Sequence, residues 1–203
     1  MSLLTESYVR ELANKHIIQS AERYGIYETR DSICKSLLTE SRVNFSDGKN
    51  YDIFLSHSYL DKELVLGIKI ELESFGFSVY VDWAEDPQLN RSNVTPENVS
   101  WIKKRMKSSS CLIYTVTDNS STSKWMPWEL GFMDGYTNKV AVLPIINNSK
   151  GFIGHEYLNI YPYIDKVPDT QTKKQLLWVT DRKDSNKYAK LKTWIGDGKL
   201  LSH

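Results

Sequence analysis

Short apolar runs alternate with amphipathic segments along the chain after about residue 50. A continuous apolar run bounded by turn residues predicts a buried strand, and apolar residues spaced four apart predict a helix with one buried face. The predicted strands are 51–56, 77–83, 111–116 and 140–145. The predicted helices are 61–75, a helix with Pro96 in its first turn, and 123–136. This alternation favours an α/β fold: a parallel sheet of about five strands with helices on both faces, joined by right-handed crossovers.

The C-terminal part of the chain gives a weaker pattern than the centre. Two apolar segments, 161–167 and 175–179, could each supply the last strand, and periodicity does not choose between them. Residues 185–195 are expected to close the domain as a helix.

A helical extension is predicted ahead of the sheet. Helical spacing of apolar residues predicts one helix over 4–24 and a shorter helix over 31–43. The turn-rich segment 46–50 follows, and it divides the chain into a helical N-terminal extension, 1–46, and an α/β domain, 47–203. The apolar stripe of the first helix must be buried, and the short linker favours packing on the same chain over packing on a second subunit. That stripe consists of Leu4, Tyr8, Val9, Leu12, Ala13 and Ile17.

Composition narrows the classes of function. The chain of 203 residues has a formal net charge of +1, and none of its apolar runs approaches the roughly 20 residues that a membrane helix needs. We therefore expect no nucleic-acid or membrane partner. The two cysteines, Cys34 and Cys111, are far apart and predict neither a disulfide framework nor a metal site. A cytoplasmic location fits these features.

Polar residues follow the predicted strands at the sheet edge where ligands bind in open parallel sheets. Ser56, His57 and Ser58 end the first strand and begin its loop, while Asp82 and Trp83 end the second. Because the carboxyl ends of parallel strands share one edge, these five residues are candidates for a common binding site.

The helix after the third strand carries Trp125 and Glu129, four residues apart. This spacing puts the indole and the carboxylate on one helical face, where they could grip a ribose and a flat base. The structural alternative is that Glu129 complements the helix dipole and that the indoles pack. Trp128 lies off that face and is expected to be the core residue of the two.

Several other chemistries are disfavoured by the sequence. It contains neither a Walker A motif nor a G-x-G-x-x-G motif, which argues against an NTPase or a dehydrogenase. His57 lacks Cys or His partners at zinc spacing, and a Ser-His-Asp triad would lack its nucleophile elbow. Gly131 and Gly135 are expected to allow close helix–strand packing rather than phosphate binding.

Three segments together resemble the landmark motifs of a Toll/interleukin-1 receptor (TIR) domain. They are residues 51–58, residues 75–82 and the motif Trp125-x-x-Trp128-Glu129-Leu130. Their order and spacing match over about residues 50–150, in the style of bacterial TIR proteins that cleave NAD+ in Thoeris-like antiviral defence. The resemblance implies a flavodoxin-like core and leaves the N-terminal extension outside it.

The resemblance also implies an activity. Many bacterial, plant and axonal TIR domains cleave NAD+ at the nicotinamide–ribose bond, and some cyclise the ADP-ribose. Glu129 matches the catalytic carboxylate, which can stabilise an oxocarbenium-like state. Trp125 matches an aromatic at the pocket border, and the loop 84–95 matches one used for assembly and gating. Ser56, His57 and Ser58 match the loop on the nicotinamide side, and Asp82 and Trp83 are expected to help bind NAD+, which is a substrate here, with no cofactor expected.

Two other functions remain open from the sequence. A TIR domain can be a non-catalytic module that assembles with other TIR domains. A nucleoside deoxyribosyltransferase of similar fold also uses a Glu against a glycosidic bond. For the favoured NAD+ glycohydrolase or ADP-ribose cyclase, we expect TIR–TIR self-association and a diffusible product that is sensed by a separate effector protein.

Overall fold

The computed structural model describes residues 4–24, 29–39, 50–81, 95–147 and 156–202. The strands within these ranges are β1 (Leu4–Thr5), β2 (Tyr51–Ser56), β3 (Val79–Tyr80), β4 (Ser109–Val116), β5 (Val140–Ile146), β6 (Tyr163–Pro168), β7 (Gln175–Thr180), β8 (Lys187–Lys190) and β9 (Leu201–Ser202). The α-helices are α1 (Glu6–Tyr24), α2 (Arg30–Thr39), α3 (Lys62–Ser74), α4 (Pro96–Lys107), α5 (Trp125–Thr137) and α6 (Leu191–Asp197). No described helix is both long enough and apolar enough to cross a membrane.

The central part of the sheet is parallel, as the sequence predicted. Its strands run in the order β3-β2-β4-β5-β6, and every neighbouring pair in this part is parallel. Of these five strands, β2 comes first along the chain but lies second in the sheet, which is the flavodoxin-like order. The order reverses between β2 and β4. A ligand crevice is expected outside the carboxyl ends of these two strands.

Helices cover both faces of the sheet, which explains the continuous apolar runs of the central strands. On one face Ile53, Ile113 and Leu143 join a core with α1, α2, α3 and α6. On the other face Phe54 and Leu112 join a core with α4 and α5. The predicted arrangement of helices on both faces is confirmed.

The C-terminal strands extend the sheet in a way that the sequence did not predict. Strands β6 to β9 pair antiparallel in succession. The two candidates for the last strand, 161–167 and 175–179, correspond to β6 and β7, so both are strands. The predicted helix over 185–195 is wrong at Lys187–Lys190, which is β8, and α6 begins only at Leu191. The Tyr188 ring meets the Trp178 ring edge-on at 5.5 Å across the β7–β8 pair. Pairing with a neighbouring strand has overridden the local helical pattern.

The N-terminal segment packs on the same chain. Strand β1 pairs in parallel with the end of β5, and Val9, Ala13 and Ile17 of α1 are buried in the core shared with α3. The approach is close at Gly67, where an added Cβ would lie 2.1 Å from the Val9 carbonyl oxygen. This contact agrees with the expectation of intramolecular packing. The boundary at residues 46 and 47 lies outside the described residues, so the division into an extension and a domain stays a prediction.

A partly buried polar contact also holds α1 against the core. The Tyr8 hydroxyl donates to Glu71 Oε2 of α3 at 2.8 Å. Lys166 Nζ of β6 donates to the Tyr8 oxygen at 2.8 Å and lies 2.7 Å from Glu71 Oε1. Burial is the main cause that raises the pKa of Tyr8, which keeps its proton available for Glu71. Three elements thus share one buried carboxylate.

Both cysteines are buried free thiols, and we expect them to resist labelling in the folded protein. Burial raises the pKa of Cys34 to about 11, and it also raises the pKa of Cys111. Because the thiolate is the reactive form, an aromatic disulfide reagent at about pH 8 should label the native protein slowly and the denatured protein fast at both thiols. The absorbance time course measures this. Rapid labelling of Cys34 in the native protein would contradict its observed burial.

Candidate active site

The carboxyl end of β2 meets α5 beside the crevice where the strand order reverses. The Ser56 hydroxyl donates to Glu129 Oε2 at 2.6 Å, although the two residues are 73 positions apart in the chain. Both side chains are 0% exposed. The sheet register places Ser56 beside Tyr114 of β4, and α5 begins soon after β4 ends. The fold therefore joins two residues that the sequence had selected separately.

Glu129 lies on the buried face of α5, between Met126, Leu130 and Met133. A carboxylate in such surroundings lowers stability unless hydrogen bonds offset its loss of hydration. The Ser56 hydroxyl supplies one such bond. A charged or polar group retained at this cost, at the ligand-binding edge of a parallel sheet, is a candidate for catalysis.

The burial of the two tryptophans of α5 is the reverse of what the sequence predicted. Trp125 is 9% exposed and belongs to the core cluster, whereas Trp128 is only half-buried. The expectation that Trp128 is the core residue is therefore wrong. Trp128 begins an outer row with Phe132 and Tyr136, whose rings stack at four-residue spacing. Trp125 stays one turn before Glu129 on the inner side, and its role in substrate binding remains a prediction.

The loop after β2 holds the remaining described candidates. His57 is buried, and its Nδ1 lies 2.8 Å from the Leu55 carbonyl oxygen. Because a carbonyl only accepts, Nδ1 must carry the proton in this contact. The Ser58 hydroxyl accepts from Leu60 N and caps the short 3-10 turn Tyr59–Asp61. The other two candidates, Asp82 and Trp83, lie outside the described residues.

A second polar contact crosses the crevice, and sequence reasoning missed it. Asp61 Oδ2 accepts from Thr117 Oγ1 at 2.5 Å, and Asp61 Oδ1 accepts from Asn119 Nδ2 at 2.6 Å. We call these three side chains the crevice clamp. The sequence pattern places Asp61 at the start of a predicted helix. The only feature that could have marked it as a site residue is its position soon after β2. Its partners, Thr117 and Asn119, lie in the segment that follows β4.

Gly131 and Gly135 do not have their expected role. Both lie on the exposed side of α5, and an added Cβ at either would have no neighbour within 4 Å among the described residues. The prediction that they permit close helix–strand packing is therefore wrong. The inward face of α5 is formed by the large side chains around Glu129 instead.

A surface cavity of about 450 Å³ lies on α4, apart from the Ser56–Glu129 contact. It is lined by Pro96, Glu97, Ser100, Trp101 and Lys104. The ammonium group of Lys104 lies 5.1 Å from the centre of the Trp101 ring. None of the candidate residues that the structure describes lines this cavity. The chemistry of the buried carboxylate, and not the size of the cavity, therefore identifies the candidate site.

Residues 53–177 match the family described as TIR domain. The chain is 38% identical to a probable 3' cyclic ADP-D-ribose synthase, ThsB', of Bacillus cereus, over 96% of this chain and 98% of that protein. It is 29% identical to a putative cyclic ADP-D-ribose synthase of Cytobacillus dafuensis, over 61% of this chain but 37% of that protein.

Among solved structures, the chain is similar to the TIR domain of the Toll-related receptor TRR-2 of Hydra magnipapillata. The TM-score is 0.43 and the sequence identity 20%, over 57% of this chain and 84% of that chain.

Proposed function

The chain belongs to the TIR domain family, and we propose that it cleaves NAD+ at the nicotinamide–ribose bond and cyclises the ADP-ribose. The observation that carries the proposal is the contact between Ser56 and Glu129 at the crevice of the sheet. Support also comes from the Bacillus cereus relative, which is named a probable 3' cyclic ADP-D-ribose synthase and aligns over nearly the whole of both chains.

The proposed reaction needs a group that stabilises positive charge on the ribose. The C–N bond breaks, its electron pair leaves with neutral nicotinamide, and an oxocarbenium-like ribosyl cation remains. An ionised Glu129 stabilises this cation and accepts hydrogen bonds from ribose hydroxyls. A nucleophile of the same molecule then attacks and loses its proton, which closes the ring. Attack by water instead would give linear ADP-ribose.

Ser56 orients the carboxylate in this scheme. Its hydroxyl donates to Oε2 at 2.6 Å, which fixes the plane of the carboxylate relative to the ribose in this scheme. NAD+ enters as the substrate, and the scheme uses no separate cofactor. Trp125, His57 and Ser58 border the place where the nicotinamide and its ribose would bind.

The burial of the contact implies that the site opens before the reaction. Ser56 and Glu129 are both 0% exposed, so NAD+ must displace the groups that cover them. We propose that self-association of the TIR domain favours the open form, so that activity rises with protein concentration. In this account the protein is cytoplasmic, acts in defence against phage, and makes a nucleotide that a separate effector protein senses.

The product assay tests this function against its rivals. The purified full-length chain is incubated with NAD+ or with a mixture of deoxynucleosides and free bases, over a range of protein concentrations, and the products are separated by chromatography. Release of nicotinamide with a cyclic product supports the proposal. Exchange of bases between deoxynucleosides would support a deoxyribosyltransferase. A folded, assembled protein that leaves both substrates intact would support a non-catalytic module.

We expect Ser56→Ala to lower kcat for NAD+ cleavage by about 10- to 100-fold, because a hydrogen bond to a charged group contributes about 1.5–3 kcal/mol. Ser56→Thr, which keeps the hydroxyl, is the matched variant and should retain more activity than Ser56→Ala. Steady-state nicotinamide release measures both. Equal kcat in wild type and Ser56→Ala would remove Ser56 from the mechanism.

A further inference from the structure

The crevice clamp ties the loop after β2 to the loop that leads into α5. Asp61 is 7% exposed and ends the 3-10 turn that follows β2. Its two partners, Thr117 and Asn119, come directly after β4. Since the strand order reverses between β2 and β4, the carboxylate bridges the crevice where the candidate site lies. Each carboxylate oxygen accepts one hydrogen bond.

The loop after β4, which the clamp holds, is linked to α5 by short-range hydrogen bonds. The buried Ser120 hydroxyl donates to the Thr117 carbonyl oxygen at 2.8 Å. Ser123 N donates to the Ser120 carbonyl oxygen at 3.2 Å, and the Ser123 hydroxyl accepts from Met126 N at 3.3 Å. A continuous set of hydrogen bonds thus runs from the clamp to the first turn of α5.

Glu129 is therefore fixed from two directions by one segment of chain. Ser56 holds its carboxylate directly, and Asp61, five residues later, holds the loop before its helix. A shift of the loop would move the start of α5 relative to the end of β2. The carboxylate would then keep its chemistry but lose its alignment with the ribose.

We infer that Asp61 is a positioning residue for the NAD+ cleavage proposed above, and that it acts through Thr117 and Asn119 on the place of Glu129. The inference rests on the proposed function for its kinetic part. Misplacement of a reacting group by about 1 Å can lower a rate about 100-fold. Because this loss appears in the transition state, it lowers kcat more than it changes KM.

Variants of Asp61 test the inference. Asp61→Ala should lower kcat about 100-fold with little change in KM. Asp61→Asn should retain much more activity, because its carbonyl can accept from Asn119 while its amide donates to the Thr117 hydroxyl, which can donate or accept. Equal losses of kcat in the two variants would overturn the inference.

An exchange of the Asp61 carboxylate and the Asn119 amide between the two positions provides a rescue test. Asn119→Asp alone places two carboxylates together and should lower kcat. Combined with Asp61→Asn, it restores one amide facing one carboxylate, so the double variant should recover much of the lost rate. Failure of the double variant to exceed Asn119→Asp, with both folded, would contradict the inference.

Asp52 offers a matched control at the opposite edge of the sheet. Its Oδ2 accepts from Ser78 N at 2.7 Å and from the Ser78 hydroxyl at 2.8 Å, so it also joins two segments with one carboxylate. Asp52→Ala should lower the melting temperature and leave kcat near that of wild type at a temperature where both are folded. A loss of kcat equal to that of Asp61→Ala would show a general effect of stability.

Hydrogen exchange separates failure of the clamp from failure of the proposed function. In Asp61→Ala, the backbone amides of Ser120, Ser123 and Met126 should exchange faster than in wild type, while those of β6 should not change. This readout does not need NAD+ turnover. Unchanged exchange over 117–126 in Asp61→Ala would overturn the clamp. Faster exchange in Asp61→Ala, together with no NAD+ turnover by the wild-type protein, would overturn only the proposed function.

Discussion

Glu129→Gln is expected to lower NAD+ cleavage by about 10²–10³-fold in a protein that keeps its fold. The amide has nearly the volume of the carboxylate, and its oxygen can still accept from Ser56. It lacks the negative charge that stabilises the ribosyl cation, so the loss falls on the transition state. Nicotinamide release under saturating NAD+, together with circular dichroism, measures both parts. Near-normal kcat in the folded variant would remove Glu129 from the reaction.

Glu71→Gln is the matched control for this prediction. Glu71 is also a buried glutamate, 3% exposed, but it lies on α3 and pairs with Tyr8 and Lys166. Its replacement leaves Lys166 without its carboxylate, so stability should fall. Its kcat should stay near that of wild type, because no part of this contact reaches the crevice. A similar loss of kcat in both variants would indicate that Glu129, like Glu71, affects activity only through the stability of the fold.

Gly67→Ala is expected to destabilise the protein by about 3 kcal/mol. A Cβ at Gly67 would lie 2.1 Å from the carbonyl oxygen of Val9, and a backbone atom cannot rotate away as a side chain can. Helix α1 must then move off α3, which also opens the core around Ala13 and Ile17. For a chain of this size the melting temperature should fall by roughly 6–12 °C. Thermal unfolding followed by circular dichroism measures the change.

Gly135→Ala tests whether the effect comes from the close contact. Gly135 is also inside a helix, but a Cβ there meets nothing within 4 Å in the part of the chain that the structure describes. Its replacement should stabilise the protein by about 1 kcal/mol, because alanine is the better helix former. If the two variants shift the melting temperature in the same direction, the packing of α1 on α3 is not what the structure describes.

The central strands could be predicted from the sequence because both of their faces are covered. β2 has the bounds predicted for it, and β4 and β5 differ from prediction by no more than two residues at either end. β3 is shorter than predicted, since only Val79 and Tyr80 pair with β2 in the described part. A continuous apolar run is a strong signal for a strand buried on both faces.

The antiparallel strands could not be predicted in the same way. Strand β7 lies on the candidate strand 175–179, but its antiparallel pairing was not predicted. Strand β8 has a mixed burial pattern, and its polar residues suit a helix as well as a sheet edge. The conformation of both strands depends on partners elsewhere in the chain, such as the pairing of Val179 with Ala189. Local periodicity contains no information about such partners.

The candidate site could be predicted in part. The rule that ligands bind at the carboxyl ends of parallel strands selected Ser56, and helical spacing and family resemblance selected Glu129. Their direct contact depends on the register between β2 and β4 and on where α5 begins, which only the structure gives. Asp61 was missed because its role depends on partners from another loop, Thr117 and Asn119.

The most direct test of the central claim is the fate of the ribosyl carbon when the purified chain is incubated with NAD+ in heavy-oxygen water. Nicotinamide and the second product are quantified by mass spectrometry over a series of protein concentrations, with Glu129→Gln as the blank. The account predicts one nicotinamide for each NAD+ consumed, and a second product that is lighter than ADP-ribose by one water and free of the label. NAD+ that stays intact at concentrations where light scattering detects assemblies of the folded chain would contradict it, as would a product that is only labelled, linear ADP-ribose.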